Sequence, residues 1–269
     1  MLIIYGTKIY GKKDEITGWG RCEQCGVYGQ HSSYNGRKFG HIYYIPLIPS
    51  GPHLRVIKEC GSCKCGMHIP ELEVPEMVHE IRQTADAALA ALVSGKTEFS
   101  LNGSNQSENC LGALYGPIEL LLCCDEKDHV NHILQRLKET KRDYEQHLIT
   151  GAIRQFNGDP QAAAQSYETA AQHELRDTLP RLLAGEMWFA GGEPDRALEA
   201  YRQASMINPN DLDAVQGMID AYTVKSDHWN VAEMYERAFS IVPDLRLEKK
   251  IVKAYKKTCR KANRQPQLA

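Results

Sequence analysis

The chain has 269 residues, of which 42% are hydrophobic and 25% charged, with a formal net charge of −2. That balance fits a folded globular protein of about two domains and excludes a disordered, collagenous or fibrous chain. Residues 111–124 form an apolar run interrupted by Pro117 and Glu119. It falls short of the ~20 apolar residues a spanning helix needs, so a buried helix is expected there.

The small net charge conceals an uneven distribution. Residues 1–70 hold nine Lys/Arg against four Asp/Glu, residues 71–245 hold 14 against 29, and residues 246–269 hold nine against one. Basic ends thus flank an acidic middle. Such a pattern serves solubility and internal complementarity, and it also suits an end that meets an anionic partner, nucleic acid included. Residues 1–6 are too short an apolar run for a secretory leader and lack a basic lead-in, so a cytoplasmic setting is expected.

Taken in chain order, residues 2–10 read as a strand, rich in β-branched and aromatic side chains. Gly18, Gly20 and Gly26 surround the pair Cys22 and Cys25 and permit tight turns. Residues 39–48 read as a second strand closed by Pro46 and Pro49, and residues 53–59 as a third that leads into Cys60 and Cys63. Each pair has C-x2-C spacing. Such a turn points two thiolates at one centre, and two turns complete the tetrahedral shell that zinc prefers. The expected ligands are Cys22, Cys25, Cys60 and Cys63; Cys65 leaves Cys60/Cys65 open as an alternative second pair. Four thiolates leave no position for water, so the expected Zn2+ is structural, and a β module of this size would draw folding energy from it. A redox role fits less well, because thioredoxin-like sites use one pair at the start of a helix. His31, His41, His53 and His68 read as surface or strand residues rather than further ligands.

These residues resemble a family of small zinc-ribbon domains. Cys22-x2-Cys25-Gly26, a strand ending Ile45-Pro46-Leu47-Ile48-Pro49, and Cys60-x2-Cys63 carry the likeness over about residues 1–70. Lys64 departs from it, standing where the second knuckle usually has Gly. The resemblance implies a fold and a metal, not a reaction.

Residues 75–94 read as a helix stopped by Gly95, and residues 102–109 as a polar Gly/Ser/Asn linker. Residues 111–124 and 127–137 read as further helices. Cys123, Cys124, His129 and His132 offer metal-ligating side chains, but they fit buried thiols and helix-surface histidines better than a second site. No phosphate loop, nucleophile elbow or kinase motif is present. An enzyme would need its site in residues 71–143.

From residue 144 the chain repeats with a period of 34. Tyr167, Tyr201 and Tyr235 recur at that interval, as do Ala170, Ala204 and Ala238; Gly151 pairs with Gly185, Gly158 with Gly192, and Pro160 with Pro194. The pattern resembles the tetratricopeptide repeat, in units 144–177, 178–211 and 212–245, each a helical hairpin that buries its apolar stripe against the next. Asp159 and Glu193 are candidate N-caps ahead of their prolines. Residues 246–269 fit a basic capping helix, with Leu247, Ile251, Tyr255 and Cys259 at helical spacing. The register of the family implies a concave face made by Leu148, Ile149, Ala152, Leu182, Leu183, Glu186, Phe189, Gln216, Asp220 and Thr223.

The expected architecture is therefore α+β and multidomain: a small β zinc ribbon (1–70), a helical connector (71–143), an all-α tetratricopeptide-like solenoid (144–245) and a basic cap (246–269). The expected function is a non-enzymatic adaptor that binds a protein or peptide through the solenoid, with the ribbon as a second contact. The alternative is a nucleic-acid-associated protein using the basic ribbon and C-terminal helix.

Overall fold

A computed structural model describes residues 5–42, 45–100 and 108–267. The chain forms two compact units, Met1–Gly158 and Asp159–Ala269. The N-terminal part is a small four-stranded antiparallel sheet and the remainder is helical, ending in a tetratricopeptide-like solenoid.

The sheet is a meander of β1 (Tyr5–Arg21), β2 (Tyr28–Ile42), β3 (Ile45–Cys60) and β4 (Met67–Pro70). Its strands are longer than the spacing of glycines and prolines suggests. Residues 39–48 do not make one strand. Residues 39–42 belong to β2 and 45–48 to β3, and these strands pair antiparallel, Ile42 with Ile45 and Phe39 with Pro49. Irregular register between Tyr10 and Ile16 lets β1 pass through Gly11, with φ +70°, and Asp14, with φ +50°, without ending. Residues 2–4 of the expected first strand lie outside the described residues.

Five helices follow in the same unit: α1 (Val74–Val93), α2 (Cys110–Tyr115), α3 (Ile118–Cys123), α4 (Lys127–Glu139) and α5 (Asp143–Phe156). Pro75 opens α1 and Gly95, with φ +85°, follows its end. The apolar run 111–124 is two short helices rather than one, because Gly116 and Pro117 separate them. The strands β5 (Glu98–Phe99) and β6 (Glu108–Asn109) pair between α1 and α2. Residues 101–107, most of the expected linker, lie outside the described residues; Asn109 caps α2 by accepting from the Gly112 N–H at 2.9 Å.

These helices share one core with the sheet. Ile57 of β3, Leu89 and Leu92 of α1, Leu114, Ile118, Leu121 and Leu122 of α2 and α3, Ile133 and Leu137 of α4, and Ile149 and Phe156 of α5 pack together. The sheet therefore does not depend on a metal alone for its interior, as its sequence suggests when taken by itself. Buried Arg55 of β3 strengthens the join. Its guanidinium donates to the Cys123 carbonyl at 2.8 Å, the Asp14 carbonyl at 3.0 Å and Asn35 Oδ1 at 3.3 Å. A buried cation is tolerated only when its donors are used in this way.

The second unit contains α6 (Pro160–His173), α7 (Leu179–Ala190), α8 (Pro194–Ile207), α9 (Leu212–Val224), α10 (His228–Ile241) and α11 (Lys249–Lys261). Each helix packs on the next, and α7 also touches α9. Helix boundaries repeat every 34 residues: α6, α8 and α10 start at 160, 194 and 228. Asp159, Asp211 and Asp227 cap α6, α9 and α10 by accepting from the N–H groups of Ala162, Ala214 and Asn230, whereas Glu193 makes no side-chain cap. The turn within each hairpin needs one left-handed residue, filled by Gly158, Gly192 and, in the third, Ser226.

Candidate functional site

The two C-x2-C turns sit side by side. Cys22 directly follows β1, Cys60 ends β3, and hydrogen bonds from Gly26 N to the Cys22 carbonyl (2.8 Å) and from Lys64 N to the Cys60 carbonyl (3.0 Å) close matching turns. In both, the residue after the second cysteine has positive φ: +70° at Gly26 and +61° at Lys64. Lys64 thus adopts the glycine-like conformation without being glycine.

Cys22 Sγ lies 3.6 Å from Cys63 Sγ, Cys25 Sγ 3.8 Å from Cys60 Sγ, and all four sulfurs fall within 4.8 Å of one another. Thiolates at ~2.3 Å from a tetrahedral ion would be about 3.8 Å apart. The donor set and spacing are compatible with a metal site. Cys65 is exposed and outside this group; its carbonyl accepts the Cys60 N–H at 2.8 Å. The N–H groups of Cys63 and Ser62 pull the Cys60 thiol down to about 6, whereas at Cys25 the lowering Val27 N–H is outweighed by burial and the neighbouring thiols, which push it up.

Behind the knuckles lies a cavity of about 240 Å³, lined among others by Arg21, Val27, His31, Ile57, Met67 and Leu120. Val27 and Met67 are exposed at the surface. The polar group beside this cavity was not legible in the sequence. His31 is only 6% exposed, and its Nε2 donates to Glu119 Oε1 at 2.9 Å, while Lys58 Nζ donates to Glu119 Oε2 at 2.7 Å. Burial alone would raise the Glu119 carboxyl; the His31 hydrogen bond and the Lys58 charge hold it below the usual carboxylate range. Nothing local links residues 31, 58 and 119. His53 and His68 are exposed, and the side chain of His41 lies outside the described residues.

Cys123, Cys124, His129 and His132 do not converge. Cys123 is buried and its thiol is pushed up to about 11 by burial, while His129 Nε2 lies 3.3 Å from Asp86 Oδ1. Among the described residues, the four knuckle cysteines are the only such group of metal-ligating side chains.

The residues implied for a concave face divide between the two units. Leu148 and Ile149 are fully buried, and Ala152 packs against the core of the first unit. Leu182, Leu183, Glu186 and Phe189 are half-buried on α7; on α9, Asp220 is half-buried and Gln216 and Thr223 are exposed. Gln216 Nε2 donates to Asp220 Oδ1 at 3.1 Å. Tyr201 of α8 fits between the backbones of these two helices: a Cβ built on Gly185 would come within 2.7 Å of its ring and one on Gly217 within 2.3 Å. Gly217 lies off the 34-residue register, which is why the repeat does not reveal it.

No helix among the described residues is long and apolar enough to cross a membrane. No family model matches the chain, and no curated protein matches it. Among solved structures, it is similar to the crystal structure of MamA, with 22% identity over 52% of this chain and 92% of that one and a TM-score of 0.40. It is also similar to the crystal structure of YrrB, described as a TPR protein with an unusual peptide-binding site, with 18% identity over 69% and 88% of the two chains and a TM-score of 0.41.

Proposed function

We propose that this chain is a non-enzymatic adaptor of the cytoplasm, in which a helical solenoid binds a peptide and a zinc-stapled ribbon offers a second contact. In this reading residues 1–70 are the ribbon, 71–143 its helical support, 144–245 the repeats and 246–269 their cap. The observation that carries it is the row of half-buried apolar side chains Leu182, Leu183 and Phe189 on α7, beside Glu186 of the same helix and Asp220 of neighbouring α9. Apolar anchors ringed by acids suit an amphipathic peptide with basic charge. Leu148, Ile149 and Ala152 contribute packing rather than contact in this scheme.

Zn2+ held by Cys22, Cys25, Cys60 and Cys63 would be saturated by thiolates, so its part is to hold the two knuckles together. Val27 and Met67, exposed residues that line the adjacent cavity, would be the ribbon's own contact surface.

Selection of peptides from a random library on the intact protein tests the solenoid reading. Peptides with apolar residues at i and i+3 or i+4 and flanking Lys or Arg are expected. Phe189→Ala and Glu186→Lys should each weaken the selected peptide about tenfold or more with the fold intact. A selection with no such bias, or binding indifferent to both substitutions, would overturn it.

A further inference from the structure

The last helix carries more positive charge than its fold can use. Lys249, Lys250, Lys253, Lys256, Lys257, Arg260 and Lys261 are all exposed on α11, and among the described residues none of them forms an ion pair. Glu248 is the sole acid of the 246–269 segment. Lys253 lies three residues before Lys256 and four before Lys257, and Lys257 four before Lys261, spacings at which like charges disfavour a helix. Lys249 and Lys250 also sit at the N-terminal end, where the helix dipole disfavours cations. The dipole favours Arg260 and Lys261 in the last turn, but local structure gives the five lysines before them no stabilising role.

The opposite side of α11 is already occupied. Tyr255 and Cys259 are buried against Phe239 of α10, with the Tyr255 and Phe239 rings edge to face at 5.3 Å. A basic amphipathic helix that binds a bilayer needs its apolar face free for the lipid, and here that face closes the solenoid. Past the end of the helix, one further cation lies over an exposed aromatic ring. Trp229, near the start of α10, is 57% exposed, and the guanidinium of Arg264, just beyond α11, lies 4.7 Å from its ring centre. Arg264 is held there by Glu236 at 2.9 Å.

We infer that α11 and Trp229 together form a binding surface for single-stranded nucleic acid, with the lysines on phosphates and the indole under an unpaired base. A cationic track beside an exposed aromatic ring is the arrangement that grips single strands without reading sequence. This activity is separate from peptide binding by α7 and α9, so either can fail without the other.

The test is fluorescence anisotropy of the intact protein with a labelled 15-nucleotide oligo-dT and oligo-U, across a salt series. Binding should weaken with salt at a log–log slope of about −0.7 per phosphate neutralised. Lys253→Glu/Lys257→Glu should abolish binding at moderate salt, and the milder Lys253→Gln/Lys257→Gln should flatten the slope by about 1.4. Trp229→Ala should lose about tenfold in affinity for the oligonucleotide and leave binding to inorganic polyphosphate unchanged, with Trp229→Phe intermediate. Circular dichroism verifies folding of each variant. Absence of salt-dependent binding, binding unaffected by both lysine pairs, or binding to phosphatidylserine vesicles without oligonucleotide binding would each overturn the inference, as would an unchanged affinity in Trp229→Ala.

Discussion

Gly18 of β1 lies beneath the ring of Phe156 of α5: a Cβ built on Gly18 would fall 2.3 Å from Phe156 Cε2. Phe156 is buried, and its ring also lies 5.9 Å from that of His31. The sheet and the helices of the first unit are in direct contact here. Gly18→Ala is expected to destabilise this unit by ~1–3 kcal/mol, the usual cost of overpacking a filled core. Pairing it with Phe156→Leu should recover part of the loss. Urea unfolding followed by circular dichroism measures both.

The four-cysteine group makes a stoichiometric prediction. Protein purified without chelator should carry one zinc per chain by elemental analysis. Cys25→Ser and Cys60→Ser should lose it and Cys65→Ser should keep it, since Cys65 stands outside the four-sulfur group. Chelation should leave the helical circular dichroism signal largely in place, because the sheet is also held by Ile57, Arg55 and Glu119. Amide exchange should rise selectively at residues 22–26 and 60–65.

Glu119 sets a pH dependence. Its carboxyl is lower in the folded protein than in the unfolded chain, since the His31 and Lys58 contacts outweigh burial. Its stabilising contribution is therefore complete above the unfolded carboxylate range and is lost as pH falls through the lower, folded value. Thermal midpoints measured from neutral to acidic pH should fall less steeply in Glu119→Gln than in the native protein. Equal slopes would show that this carboxylate does not carry acid sensitivity.

In the solenoid, the Tyr201 ring fills the gap that Gly185 and Gly217 leave between α7 and α9. Tyr201→Ala should cost about 3–5 kcal/mol, as a large aromatic removed from a packed site does. Gly217→Ala should also destabilise, since the added methyl meets the ring at 2.3 Å. Differential scanning calorimetry should place both losses in the transition of the second unit.

Much of this architecture was legible in the residues themselves. Two C-x2-C pairs constrain sulfur positions locally, because each turn spans only four residues, and the 34-residue period survives because each hairpin repeats one set of contacts. Asp159, Pro160 and Pro194 marked helix starts within a residue. What sequence spacing missed were the residues whose partners are distant in the chain. His31 and Lys58 read as ordinary members of a basic ribbon until α3 brings Glu119 to both. Residues 39–48 read as one strand because β propensity cannot distinguish one strand from parts of two that pair. Leu148 and Ile149 fit the repeat register, yet both are fully buried.

Local chemistry, then, decided the elements, the cysteine turns and the repeat, since each depends on neighbours a few residues away. Tertiary packing decided that sheet and helices share a core and that a glutamate, a histidine and a lysine meet near the four cysteines. It also decided which apolar side chains of the repeats stay partly exposed. Those outcomes depend on close approach between segments tens of residues apart, and no local spacing encodes that distance.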